Sequence, residues 1–423
     1  MRPLLLATAL LLALAPAARG DAVGLRDAVD AEQIALAGPE VLVARNLPSG
    51  MELEAVPRAG GAPRPVLSLP AAQVAWPEGL AASATRVVVA VERHDERGSL
   101  VASEVYSGPP SGPLRLAWRR PAWSTVLADV SGDRALVVQT PAATDGVRAA
   151  IFDAAGRTPV PWASGAVLPV AIAGDYAAVV ARRPQRIGLA NAATGAISAS
   201  HRPRARDRRS VDVAADGRLV TEGGRGLLTM SPGAAPRRVP NTDGLERPLF
   251  AGSAIAAVAG QLMNHRVVLV GAAGAPRRLG PPTAEVRDVA ADEQGVAWLA
   301  SGCVRYAPIA GSPAPGDICP ATEIGLSVID SSPLRHRTVR VRVRCIATPT
   351  GTCSGTLLLK HGKRVVTRAP FTVPAGVLAR VPVRLSARGL RVARRERSFI
   401  LDADVPGGRV WPGNDNSELT VTR

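Results

Sequence analysis

Val211-Asp-Val-Ala-Ala-Asp-Gly-Arg-Leu-Val220 is two apolar stretches joined by the polar turn Asp216-Gly217-Arg218. The same pattern of apolar run, turn and apolar run recurs at six other places, beginning at Ile34, Leu80, Val126, Val170, Leu249 and Val286. Successive starts are 46, 46, 44, 41, 38 and 37 residues apart. Each copy is followed by a further apolar stretch and a small-residue turn, such as Ala193-Thr194-Gly195 or Ala273-Gly274-Ala275-Pro276. A period of about 40 residues with two hairpins is the size of one propeller blade. A lone sheet of short Val, Ala and Leu strands buries too little to be stable, and radial stacking of neighbours supplies the missing core. The expected fold is all-β, with a β-propeller of about seven blades over residues 21–320. Six or eight blades and a two-sheet stack are the competing arrangements.

The segment Ala214-Ala215-Asp216-Gly217-Arg218-Leu219-Val220, with echoes at Gly132-Asp133-Arg134 and Asp292-Glu293-Gln294-Gly295, resembles the inner-strand turns of secreted bacterial β-propellers of the WD40-like, TolB-type kind. The likeness runs over residues 30–320 and implies a secreted propeller. The Trp-Asp dipeptide of true WD40 repeats is absent. Plain hairpin chemistry accounts for most of these turns without a ligand.

Composition agrees with many short strands: aromatic residues are 3% of the chain, while Gly (41) and Pro (37) are abundant. The chain opens with Arg2, an apolar run from Leu4 to Ala15 and a small-residue zone ending at Asp21. That is the layout of a secretory signal peptide over residues 1–20, cleaved between Ala17 and Ala22. The apolar run is shorter than the ~20 residues a membrane span needs, so no transmembrane anchor is expected. The four cysteines form two close pairs, Cys303 with Cys319 and Cys345 with Cys353, which in an exported chain read as two local disulfides. A metal site is the alternative, but neither pair is a C-x-x-C and no histidine stands at ligand spacing, so no metal and no cofactor are expected. Residues 23–25 can supply a strand to the last blade and close the ring.

Around residues 313–320 the repeat stops. Strand-like stretches at 324–329, 338–346, 354–360, 364–372, 377–385, 398–405 and 419–422 make residues 321–423 an expected immunoglobulin-like β-sandwich. Phe371-Thr372-Val373-Pro374-Ala375-Gly376 and the alternation from Ala379 to Leu385 are similar to the immunoglobulin-like repeats of exported actinobacterial proteins. A bond between Cys345 and Cys353, which flank Thr348-Pro349-Thr350-Gly351-Thr352, is expected to staple a hairpin.

The net charge is +16, and only two of the 51 cationic residues, Lys360 and Lys363, are lysines. Residues 321–423 hold 18 of the cationic residues against 7 acidic ones. In Thr338-Val339-Arg340-Val341-Arg342-Val343-Arg344 the alternation puts the valines on one face, and Arg340, Arg342 and Arg344 on the other. That basic face is a candidate site for an anionic cell-envelope polymer or an extracellular protein; a solvated strand face in an arginine-biased genome is the plainer account. Nucleic acid is not an expected partner, since no aromatic residues separate these arginines. Trp76, Trp118, Trp123, Trp162 and Trp298 lie in the repeat, where packing between blades is their expected work.

Enzyme signatures such as G-x-S-x-G, H-E-x-x-H and the P-loop are absent, and five scattered histidines show no metal or triad spacing. A propeller gathers residues from different blades at its axis, so Asp129, Asp175, Asp212 and Asp288, near comparable positions of four repeats, are axial candidates for cation binding or acid–base work. Turn and strand-end duty is their ordinary alternative. The preferred reading is a secreted, non-catalytic binding protein; the alternative is a propeller hydrolase or lyase with its site at the axial channel.

Overall fold

The second strands of the repeats are continuous apolar runs: Val87-Val88-Val89-Ala90-Val91, Ala135-Leu136-Val137-Val138, Ala177-Ala178-Val179-Val180. Successive side chains of a strand point to opposite faces, so such a run makes a sheet that is apolar on both sides and needs a neighbour on each. The computed structural model describes residues 22–422 except 71–73, 142–147, 154–155, 164–166, 183–184, 203–209, 261–263, 272–273, 311–317, 321, 328, 349 and 412–416. The signal-peptide reading of residues 1–20 lies outside the described residues, as does the side chain of Trp76.

Up to Pro308 the described strands pair into seven four-stranded antiparallel sheets. Six are built from consecutive strands, over residues 31–70, 74–121, 123–159, 167–201, 211–238 and 245–278. The seventh takes three strands from residues 286–308, and its outermost strand is Val23–Asp27, which lies antiparallel to Cys303–Pro308 with Val23 opposite Tyr306. Each sheet shares one core with the sheet before it and another with the sheet after. Ala135 and Val137 pack with Val88, Ala90 and Trp118 of the second sheet, whereas Leu136 and Val138 pack with Ile172, Ala177 and Val179 of the fourth. The chain of cores closes on itself, because Val23, Leu25, Leu299 and Tyr306 of the seventh sheet pack against Ile34, Leu36, Val41 and Val43 of the first. The innermost strands touch their neighbours around an axis, the seventh meeting the first. This closed radial arrangement is a β-propeller.

Polar contacts reinforce the closure. Arg58, 7% exposed, donates to Gln294 at 3.2 Å, pairs with Asp292 and lies 5.3 Å from the Tyr306 ring. Arg26 of the closing strand reaches Glu54 of the first sheet at 3.1 Å, and Arg45 reaches the same carboxylate at 2.7 Å. Burial alone raises the Glu54 carboxyl, but hydrogen bonds and charge from Arg45 and Arg26 hold it below the usual carboxylate range.

Residues 322–422 form two sheets around one core that includes Ile324, Val339, Val341, Val343, Leu357, Phe371, Phe399 and Leu419. One sheet orders the strands Leu378–Arg384, Thr338–Ala347, Thr322–Leu326 and Gly408–Trp411; the other orders Ile329–Pro333, Glu418–Thr422, Ser398–Asp404, Thr352–His361 and Arg364–Pro374. Four features differ from the sequence reading, one being the strand Gly408–Trp411 in a stretch assigned none. The single strand expected at 324–329 is two: Thr322–Leu326 belongs to one sheet and Ile329–Pro333 has crossed to the other. Thr338–Ala347 and Thr352–His361 lie in different sheets, so the Cys345–Cys353 bond pins the two sheets together, where a hairpin staple was expected. A helix, Ala387–Arg395, occupies a stretch assigned no regular element, capped by the Ser386 hydroxyl accepting from the Gly389 N–H at 3.0 Å.

A polar seam joins the two units. Glu323, 5% exposed, accepts from the Ala284 N–H at 2.9 Å and from the Ser301 hydroxyl. Arg409 bonds the Ser301 carbonyl and Asp27, and Arg287 lies 5.5 Å from the Trp411 ring. Cys303–Cys319 joins the first residue of a closing strand to the segment leading out of the ring.

The disulfides span 16 and 8 residues. Loop-closure entropy then assigns Cys303–Cys319 about 3 kcal/mol and Cys345–Cys353 about 2.5 kcal/mol. Urea unfolding of C303S/C319S and C345S/C353S variants is expected to show losses of this size, with the former pair acting on the propeller transition.

Candidate functional site

Two places gather the polar side chains singled out in the sequence: the propeller axis and an arginine-lined groove in the two-sheet unit.

At the axis, Asp129, Asp212 and Asp288 lie on the innermost strands of the third, fifth and seventh sheets. Each does the same thing with its two oxygens. Oδ1 accepts from the next N–H of its own strand: Val130 at 2.8 Å, Val213 at 2.8 Å and Val289 at 2.9 Å. Oδ2 crosses to the innermost strand of the following sheet and accepts from Ile172 at 2.6 Å, Phe250 at 2.7 Å and Ile34 at 2.8 Å. The receiving strands all carry register shifts nearby, at 169–171, 246–249 and 31–33, where ladder pairing is interrupted. The aspartates satisfy N–H donors on the open edges of these innermost strands, and in doing so clasp alternate pairs of sheets. Burial pushes Asp129 up to about 7, helped by the charge of Asp212. It pushes Asp212 and Asp288 up to about 6, against the hydrogen bonds from the backbone.

Asp175 does not join them. It sits exposed in the turn after the innermost strand of the fourth sheet, with its carbonyl accepting from the Ala192 N–H at 2.8 Å. The shared signal of the other three is an Asp-Val dipeptide inside the strand, which Asp175-Tyr176 lacks. Among the described residues no three carboxylate, imidazole or thiolate groups stand together as a metal site. An axial cavity of about 330 Å3 is lined by Val170, Val211, Leu249, Arg247 and Asp288 among others. Arg247, held at φ +53°, commits its guanidinium to the carbonyls of Val286 and Arg287 at 2.7 and 2.8 Å.

The groove arises from the crossing of strands between the two sheets. Thr322–Leu326 pairs with the upper part of Thr338–Ala347, as far as Leu326 opposite Val343. Beyond that point Ile329–Pro333 has moved to the other sheet, and the N–H groups of Arg340 and Arg342 lose a ladder partner. Side chains replace it: Ser332 Oγ accepts from the Arg340 N–H at 2.7 Å and Asp330 Oδ2 from the Arg342 N–H at 3.0 Å. Asp330, 4% exposed, also takes Arg342 Nε at 2.9 Å. The space left between the strands is a cavity of about 400 Å3, lined by Asp330, Ser332, Arg335, Arg340, Arg342 and Arg380 among others.

The alternation read from the sequence is present: Val339, Val341 and Val343 are fully buried, Arg340 is exposed, and Arg342 and Arg344 are half-buried. Arg340 and Arg342 reach the cavity; Arg344 is not in its lining. Arg380 stands directly across the ladder from Arg342, and like charges directly opposite repel. Arg335, close in sequence to Arg340, joins the groove through the turn at 335–338; Arg380 is not evident from the sequence, because only the pairing register brings it there. Four guanidinium groups surround a single carboxylate, so an added anion finds unbalanced positive charge and many N–H donors.

No family model matches the chain, and no curated protein matches it. Solved structures of similar fold include BamB from Moraxella catarrhalis, with 13% identity over 67% of this chain and 97% of that one, at a TM-score of 0.41. Virginiamycin B lyase from Staphylococcus aureus has 10% identity over 68% of this chain and 98% of its own, at 0.46. The β-propeller domain of the Trilobed protease from Pyrococcus furiosus has 10% identity over 66% and 89%, at 0.44. The fold assignment rests on the sheet geometry, and none of these likenesses bears on activity.

The raised aspartates give a pH dependence with a definite sign. Their folded-state values exceed the unfolded one, so their contribution to stability is fully present below about pH 4. It is lost as pH rises through about 6 to 7, where the buried carboxyls must ionise. A variant carrying Asp129→Asn, Asp212→Asn and Asp288→Asn is expected to be less stable overall, having lost an acceptor at each clasp. Its urea midpoint should fall less than the wild type's between about pH 4.5 and pH 7.5. Equal slopes in the two proteins would show that the axial carboxyls do not titrate in that range.

Proposed function

We propose that this is a secreted, non-catalytic binding protein: a seven-bladed propeller carrying an immunoglobulin-like sandwich that attaches to anionic groups of a cell-envelope polymer or an extracellular protein. The observation that carries the reading is the arginine-lined cavity, where Arg335, Arg340, Arg342 and Arg380 surround Asp330. The seven four-stranded sheets support the blade count, and the shared core of the two terminal sheets supports the sandwich. Two disulfides fit an oxidising compartment. No helix among the described residues is long and apolar enough to cross a membrane.

The axial aspartates support a binding role over catalysis, since both oxygens of each are engaged by backbone donors. One observation favours the alternative, a hydrolase or lyase acting at the channel: Asp288, its pKa raised by burial, lines the axial cavity.

The test is retention of the full chain on purified envelope polymer across a salt gradient. Binding through the groove is expected at about 50 mM salt and to fade toward about 500 mM as screening shortens the reach of the charges. R340S/R380S should elute at distinctly lower salt, and elution unchanged from wild type would remove the groove from the reading.

A further inference from the structure

The outer surface between the second and third sheets holds a feature that the groove does not explain. Five side chains alternate there, cation and ring: Arg157, Trp118, Arg120, Trp123, Arg148. The Arg157 guanidinium lies 4.5 Å from the Trp118 ring centre, and Arg120 lies 5.6 Å from the same ring. Arg120 also lies 5.7 Å from the Trp123 ring, which Arg148 covers at 4.9 Å. The sequence builds this row from three segments. Trp118 and Arg120 are two apart on the strand Arg115–Pro121 and share a face; Ala122, at φ +53°, turns the chain so that Trp123 opens the next sheet. Arg148 starts the strand Arg148–Asp153, and Arg157 is brought beside it by the hairpin that pairs Phe152 with Arg157. Trp118 is anchored at 8% exposure against Phe152, at 5.6 Å between ring centres.

This row is short of negative charge. Among the described residues no carboxylate pairs with Arg120, Arg148 or Arg157; nearby Glu104 is taken by Arg93 and Arg119. Arg120 Nε is buried without a hydrogen-bond partner among the described residues. Burial and the charges of Arg120 and Arg148 lower the Arg157 guanidinium from its ordinary value, as expected for cations crowded together. The ring faces attract the cations by their quadrupoles, which holds three like charges in a line that repulsion alone would scatter.

The geometry points to a second anion-binding surface on the propeller itself, a linear site for an anionic polysaccharide whose carboxylate or sulfate groups meet the N–H edges of Arg157, Arg120 and Arg148 in turn. The indole faces are already covered by guanidinium groups, so neither sugar rings nor nucleobases can stack on them, and recognition falls to charge and hydrogen bonds. A folded protein partner needs an exposed apolar or aromatic anchor; here Trp118 is buried and both indoles are roofed by cations. The site is independent of the groove around Arg340, and each can fail without the other.

The experiment measures binding of the full chain to heparin, polygalacturonate, neutral dextran and poly-dT at low salt. The variants are Arg120→Gln/Arg148→Gln/Arg157→Gln and, separately, R340S/R380S. Binding to heparin or polygalacturonate that weakens about tenfold or more in the triple variant, and persists in the groove variant, is the expected result. The reading is overturned if the triple variant binds both polysaccharides as the wild type does, if dextran binds equally well, or if poly-dT binds more tightly than either. Arg148 and Arg157 are exposed, so the single variants Arg148→Gln and Arg157→Gln keep the question answerable should the triple variant not fold.

Discussion

A sheet that is apolar on both faces cannot be the outer layer of anything. That constraint governs the first 300 residues. Leu136 and Val138 look one way and Ala135 and Val137 the other, so the third sheet needs partners on both sides, and the same holds for every sheet around the ring. A linear stack would leave two such faces in water; closing the stack leaves none. The closure between the seventh and first sheets is accordingly where polar reinforcement concentrates, in Arg58 with Asp292, Arg26 with Glu54, and Asp288 on the Ile34 N–H. The terminal unit obeys a different rule. Its strand Thr338–Ala347 alternates, one face in the core and one toward solvent, and Arg340 and Arg342 face a groove.

Much of this was legible because it is periodic. The spacing of the apolar runs fixed the repeat, the pairing of cysteines followed from their separation, and the valine–arginine alternation named Arg340 and Arg342. What was not legible depends on register and on crossing points. The passage of the chain between sheets after Leu326 has no strong breaker to mark it, yet it opens the groove; nor does the sequence mark Thr338–Ala347 and Thr352–His361 as belonging to different sheets, which makes the Cys345–Cys353 bond a link between them. Arg380 joins the groove only because it stands opposite Arg342. Asp175 was grouped with the axial residues by its place in the repeat, although the residue after it, Tyr176 where the others have valine, already separates it. The stacked row of Arg157, Trp118, Arg120, Trp123 and Arg148 shows the same limit, since hairpin pairing and a turn at Ala122 bring together residues that no window of sequence holds side by side.

The axial aspartates illustrate how a ring of sheets handles its own open edges. The innermost strand of each sheet has a ladder partner on one side only, and N–H groups on the other side need acceptors. An Asp-Val pair on the preceding sheet spends one oxygen on its own strand and one on the neighbour, so the carboxylate acts as a short piece of ladder turned sideways between sheets. Raised pKa values of about 6 and 7 are the by-product of that placement.

The closing strand Val23–Asp27 sets the order of events in synthesis. It is the first ring strand to leave the ribosome and the last to be satisfied, since its partner Cys303–Pro308 comes at the far end of the ring. Until residue 308 has been made, the nascent chain holds an unpaired edge and two uncovered apolar faces. Such a chain cannot complete its fold prematurely. It also places the period of greatest aggregation risk in the interval before the last blade arrives.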